Sequence, residues 1–380
     1  IIDTLLLYLD RAAQELPDTW GTTDKGKITK GAALALKSRI ALVGGRYDLA
    51  AAAAQQVIES PQYSLYPDYA KLFTYAGESN SEVIFEVDYA YGVQTHRMPI
   101  SLFSRNAQGN STKVPTQSMV DSYECTDGLT IDQSPLYDPH HPFENRDPRM
   151  RQTIAVPGDV FLGFQFETYK DSLQCWNYST NPAKRVGNQD ATNAYASFSG
   201  YCWRKSTDSA DLGAYRNASS LNCIVIRLAE VLLNYAEAKI ELNQIDASCL
   251  EAINRIRQRP TVNMPPIAPG KTQAEMRTIV RRERKIELAM EGLRFQDIRR
   301  WKLAEKVMPG PLYGRPQKPY NYADQGVPSI DADGVVHYDG YADKLSVIEQ
   351  RSFDPQKSYL LPIPQRELDV NKELVQNPGY

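Results

Sequence analysis

The chain has 380 residues, with 43 Lys and Arg against 46 Asp and Glu and a formal net charge of -3. That length supports one large core or a core carrying a big insertion, and the charge lacks the basic footprint of a nucleic-acid binder. There is no phosphate-cradling glycine loop, zinc-type Cys/His spacing or G-x-S-x-G elbow, so the motifs point to no cofactor and to none of the common enzyme classes that carry them.

In chain order, Leu5, Leu6, Leu9, Ala12, Ala13 and Leu16 recur at helical spacing. They predict a helix on the inside of a helical array whose earlier members are missing, as after an amino-terminal truncation. Neither a signal peptide nor an apolar run long enough to span a bilayer occurs. Residues 30–60 read as two Ala-rich helices broken at Gly44-Gly45, with Tyr47 packing at the turn and Asp48 near the second start. This is a hairpin of tetratricopeptide type. A strand is predicted over 82–87.

From about 86 to 222 the helical periodicity fades, and Gly, Pro, Asn, Ser and Tyr accumulate. A loop region of that size inside a compact protein is functional more often than not, so it is read as a ligand-binding insertion. Residues 227–259 repeat the hairpin plan, with Ala236, Ala238 and Ala252 where two helices must approach closely, and Pro260 ending the second. A third helical block follows over 272–307. The last segment is loop-like, with a hairpin at Asp331-Ala332-Asp333-Gly334. The predicted parts are therefore 1–85, 86–222, 223–307 and 308–380, within one mainly α unit.

Five cysteines, at 125, 175, 202, 223 and 249, include no C-x-x-C pair. Cys249 is expected as a small core residue on a helix, whereas spacing leaves any pairing among Cys175, Cys202 and Cys223 open. His140 and His141 beside Asp138 suggest a solvated turn, because adjacent histidines point apart and no further metal ligand follows.

The most informative stretch is RRERKIELAMEGLRFQDIRRW, residues 281–301. At steps of three and four, Arg284, Glu287, Glu291 and Arg294 form one helical stripe running on to Ile298 and Trp301, with Arg281 and Glu283 beside it. Ile286, Leu288, Met290 and Leu293 supply an apolar side, so the charges are expected at a packed boundary, paired with one another, and Trp301 buried at the end. Gly292 marks a bend or a close backbone approach. Glu287 and Glu291 can alternatively be read as the acid and base of a glycoside hydrolase.

These residues carry a resemblance. Glu283-Arg284, Glu287-Leu288, Glu291-Gly292-Leu293-Arg294 and Asp297-Ile298-Arg299-Arg300-Trp301 follow the pattern of the SusD/RagB family over about twenty positions. ITKGAALALKSRIAL, FENRDPRM, RLAEVLLNYAEAK and LPIPQRELDVN with QNPGY are similar to it in the expected order. The resemblance implies a mainly α, SusD-like fold: tetratricopeptide-like hairpins packed on an irregular insertion of loops and short strands. It further implies a non-catalytic, surface-exposed outer-membrane lipoprotein that binds oligosaccharide or polysaccharide and delivers it to a SusC-like TonB-dependent transporter. In the family such an anchor is attached near the amino terminus, so here it is expected ahead of Ile1, outside this chain. A scaffold or peptide-capturing relative is the other non-enzymatic reading.

A sugar needs exposed aromatic planes flanked by amide, carboxylate or guanidinium groups. The 23 Tyr against 10 Phe suit such a surface. Within the insertion, Trp176, Asn177 and Tyr178, in sequence too polar for a strand core, are the leading candidates, with Phe166 and Tyr195 nearby. Tyr89, Tyr91 and Arg97, together with His96, form a second cluster after the 82–87 strand. Tyr201 and Trp203 are expected to be structural, and Asn145 to Arg149 to form a turn whose charges brace the insertion.

Overall fold

The computed structural model describes residues 1–319 and 327–380, so part of the 308–380 segment lies outside the described residues. Three helices open the chain: α1 (Ile2–Glu15), α2 (Lys30–Val43) and α3 (Tyr47–Ile58). The turn after α2 relies on Gly45, whose φ of 67° is the left-handed conformation that glycine adopts without strain. Ala32, Ala33, Ala35 and Ala41 of α2 meet Ala50, Ala51 and Ala54 of α3 in one core, because side chains this small let the two backbones close up. α1 packs through one face only: Leu6 and Ala13 are buried, while Leu5, Leu7 and Tyr8 are exposed. The expectation of a helix inside an array is thus met on one side.

β1 (Val83–Val87) leads into the insertion, which carries four short helices, α4 (Met98–Leu102), α5 (Gln117–Asp121), α6 (Arg149–Thr153) and α7 (Gln189–Thr192). It is less irregular than its composition suggests. β3 (Val160–Phe161), β4 (Phe164–Gln165), β5 (Gln174–Asn177) and β6 (Lys184–Gly187) form an antiparallel sheet in that order, and β2 (Ile154–Ala155) pairs with β7 (Cys202–Trp203). β8 (Cys223–Arg227) then returns to pair antiparallel with β1.

The second hairpin, α8 (Leu228–Glu241) and α9 (Ala247–Arg257), completes the main core together with α10 (Gln273–Glu287). α8 is buried on nearly every face, as a central helix must be. Asp246 caps α9 by accepting from the Cys249 amide, and Cys249 is buried as expected. A capping box between Thr272 and Glu275 starts α10. The third block is not continuous. α10 stops at Glu287, Met290 and Gly292 take φ of 64° and 80°, and α11 (Arg294–Arg300) and α12 (Ala304–Val307) resume in new directions. Nothing approaches the position a Gly292 Cβ would take, so that glycine makes a bend and not a close contact.

The carboxy-terminal segment pairs β9 (Gly310–Pro316) with β12 (Leu345–Arg351). The hairpin expected at Asp331 to Gly334 joins β10 (Ser329–Ile330) to β11 (Val336–His337). α13 (Gln365–Val370) lies near the end of the chain. All five cysteines are free thiols, which resolves the open question at 175, 202 and 223.

Candidate functional site

The charged stripe is an ion-pair centre in the interior, but its partners are not the ones helical spacing suggests. Glu287 has no exposed surface and accepts from Arg227 at 2.7 Å, Arg149 at 2.9 Å and Arg259 at 3.0 Å. Glu82 accepts from Arg227 and Arg259, and Glu283 from Arg149 and Arg257. Glu291, on the turn after α10, accepts from Arg227 and Lys205, each at 2.6 Å. Within the stripe only Asp297 pairs locally, with Arg284 and Arg300. Trp301 is half-buried, not buried; its indole N–H donates to Glu237, and the guanidiniums of Arg281, Arg294 and Arg300 surround its ring. The 145–149 turn does brace the insertion: Arg149 enters this centre, and Arg146 donates to the carbonyls of Val120, Tyr123 and Pro142.

Burial by itself would raise the carboxyls of Glu283, Glu287 and Glu291. The guanidiniums around each overturn that, Arg149 and Arg257 on the first, Arg227, Arg259 and Arg149 on the second, Arg227 with Lys205 on the third, and hold all three below the usual range. A glycosidase acid must keep its proton at working pH, which neither Glu287 nor Glu291 does here. This is a structural brace, enclosed at Glu283 and Glu287 and open to a neighbouring cleft only at Glu291.

Of the insertion candidates, Phe166 is 1% exposed and packs edge-to-face on Phe161, so its ring is a core element and no ligand contact. Trp176 and Asn177 lie on β5 but not in its core, in keeping with a sequence too polar for a strand core. The reason is alternation: Cys175 points into the core while Gln174 and Trp176 face out, leaving the indole 38% exposed. Arg185, opposite Trp176 in register, stacks over the indole at 5.3 Å and covers it in part. Asn177 is occupied by the Ser179 amide, and Tyr178 is 47% exposed just beyond the strand. Tyr195 stands 72% exposed, on a different loop.

The second cluster is better assembled. Because β1 pairs with β8, residues 88–97 are brought against 213–222. His96 and Ser219 exchange backbone hydrogen bonds, and the Tyr89 amide donates to Asn222 Oδ1 at 2.9 Å. Tyr89 packs edge-to-face on His96, and Tyr91 on Tyr215 with centroids 5.1 Å apart. The last two are 65% and 46% exposed. Arg97 donates to Asn217 at 3.2 Å beside them. A cleft of about 110 Å³ adjoins, walled by His96, Met98, Asn222, Glu78 and Glu86. The sequence named Tyr89, Tyr91 and Arg97 as candidates but gave no pointer to Tyr215, Asn217 and Asn222, which the fold places beside them. The available signal was a second strand at 223–227, whose pairing with 83–87 would have carried the preceding loop to the same place.

Among the described residues, no group of three or more His, Cys, Asp or Glu is placed to hold a metal, and no helix is long and apolar enough to cross a membrane. The sequence model of the SusD family matches residues 81–380. SusD-like protein P2 of Formosa agariphila is 27% identical over 398 residues, covering the whole chain and 65% of that relative. The chain therefore spans somewhat less than two thirds of this relative's length, and 55% of SusD-like protein P25 from the same organism. Among solved structures, a SusD-like carbohydrate-binding protein from Bacteroides fragilis superposes with a TM-score of 0.83 at 29% identity, over 98% of this chain and 70% of that one. The surface glycan-binding protein A of Bacteroides thetaiotaomicron shares the fold, with a TM-score of 0.60 at 20% identity over 99% of this chain and 70% of that one.

Proposed function

Since this chain belongs to the SusD family, we propose that it binds a glycan at the cell surface without cleaving it and passes it to a SusC-like TonB-dependent transporter in the outer membrane. The observation that carries this reading is the Tyr91–Tyr215 platform with Arg97 and Asn217 at its edge. Its rings offer planes to the C–H faces of a sugar, and the guanidinium and amide groups offer partners to the hydroxyls. Trp176 and Tyr178 provide a second aromatic surface on the insertion's sheet. The solved relative described as carbohydrate-binding adds support. Membrane attachment is through an amino-terminal lipid anchor in this reading.

The non-catalytic part rests on Glu287 and Glu291, both of which stay ionised beneath their arginines. Titration calorimetry against a panel of oligosaccharides tests binding, and reducing-sugar assays on the same mixtures test cleavage. Heat of binding with no sugar release is expected for at least one glycan. A panel that gives no binding, or release that disappears in Glu287→Gln, overturns the reading.

A further inference from the structure

A second cavity, of about 400 Å³, lies between α10–α11 and the β9–β12 pair, in the size range of small-ligand sites. Its walls are chiefly apolar, with Met119, Trp203, Met290, Leu293, Pro311 and Leu312 among them. No residue of the tyrosine platform lines it. Its charges are unbalanced. Arg284 is matched by Asp297, Lys306 by Asp333 and Arg351 by Glu349, whereas Lys285 and Arg294 have no carboxylate partner among the described residues. Lys285 reaches only the Ser118 carbonyl and the Ser122 hydroxyl, and Arg294 lies over the Trp301 ring at 5.8 Å without a hydrogen bond. Asp297, the one carboxylate on the wall among the described residues, is already engaged by Arg284 and Arg300.

Two like charges on a largely apolar wall, neither directly paired with a carboxylate among the described residues, are unfavourable, and both groups register it. Burial, helped by Arg294 and opposed by Asp121, pushes the Lys285 ammonium down to about 7. Burial, opposed by Asp297 and helped by Arg281 and Arg284, pushes Arg294 down to about 10. An oxyanion between them would relieve the repulsion and satisfy the guanidinium fork. The wall gives a polyhydroxylated ligand little to bond: the Tyr338 hydroxyl, for one, already donates to Asp121. The occupant therefore combines one acidic group with an apolar body.

We propose that this cavity binds a small organic acid, its carboxylate between Lys285 and Arg294 and its apolar body against Met119, Trp203 and Leu312. The test is titration calorimetry of the whole chain with 3-phenylpropionate, D-glucuronate and inorganic sulfate at constant ionic strength. 3-Phenylpropionate is expected to bind one to one. Arg294→Met should weaken it roughly tenfold or more, as loss of a charged hydrogen bond does, and Lys285→Met should weaken it less. Thermal melts control for folding: both unliganded variants should match or exceed the parent's Tm, since each removes a half-buried cation with no paired carboxylate among the described residues. Absence of 3-phenylpropionate binding, or binding unchanged in a folded Arg294→Met, overturns the proposal. So does glucuronate or sulfate binding as tightly as 3-phenylpropionate, because the apolar wall would then contribute nothing.

Discussion

Glu287 gathers three guanidiniums where water does not reach, and this sets its response to change. Removing one partner of a buried pair typically costs about 3–5 kcal/mol, because the charges left behind remain desolvated. Glu287→Ala is expected to lose at least that much in urea unfolding. Glu291→Ala, at a less enclosed position, should also lower stability far more than glycan affinity. The same carboxylates set the acid limit of the fold. Their folded pKa values lie below the unfolded ones, so their contribution is intact above the ordinary glutamate value of about 4.3 and is lost as pH falls through the depressed values. Melting temperature measured from pH 7 to pH 2 should therefore hold roughly level and then drop below about pH 4; a decline beginning near neutrality would contradict these pairings.

At the scale of elements, the two hairpins and the hairpin turn at 331–334 were legible because their signals are local: apolar period, capping residue, glycine at the break. The break after Glu287 was half legible. Gly292 announced a bend, but the stripe across 284–294 fitted a straight helix equally well, and only the left-handed Met290 ends that option. Gly292→Ala is expected to cost about 1 kcal/mol, a purely backbone penalty since nothing crowds its Cβ; differential scanning calorimetry would read it. Tertiary context hid more in the insertion. Strands of two to four residues carry little periodic signal, so Trp176 could not be placed on a sheet and Phe166 could not be told from an exposed ring. The candidate platform was legible on one side only, since Tyr215 and Asn217 join Tyr91 and Arg97 through pairing across more than a hundred residues. Tyr91→Ala should weaken glycan binding by roughly 1–2 kcal/mol without a change in Tm, as loss of one stacked ring does. Trp176→Ala, with its indole already shared with Arg185, should weaken binding less. Calorimetry on both variants ranks the two surfaces.

For the whole molecule, the hairpins form one layer, and the insertion is tied to it through the arginine-glutamate centre. Arg227 precedes α8, Arg257 ends α9 and Arg259 follows it, Arg149 comes from the insertion, and Glu82 immediately precedes β1. Unfolding in urea should accordingly give one transition by far-UV circular dichroism and by tryptophan fluorescence; two resolved midpoints would show that the insertion opens independently. The centre also bears on the order of folding. Its pairs are separated by 60 residues for Arg227 with Glu287, 138 for Arg149 with Glu287 and 177 for Arg259 with Glu82. α9 and α10 can bring Arg257 to Glu283 and Arg259 to Glu287 across 26 and 28 residues, but Arg149, Arg227 and Glu82 wait for distant segments, so closure of the centre and its desolvation fall late on the folding path. Their energy then acts mainly as a lock on the finished molecule, and its loss should speed unfolding while leaving the folding rate almost unchanged.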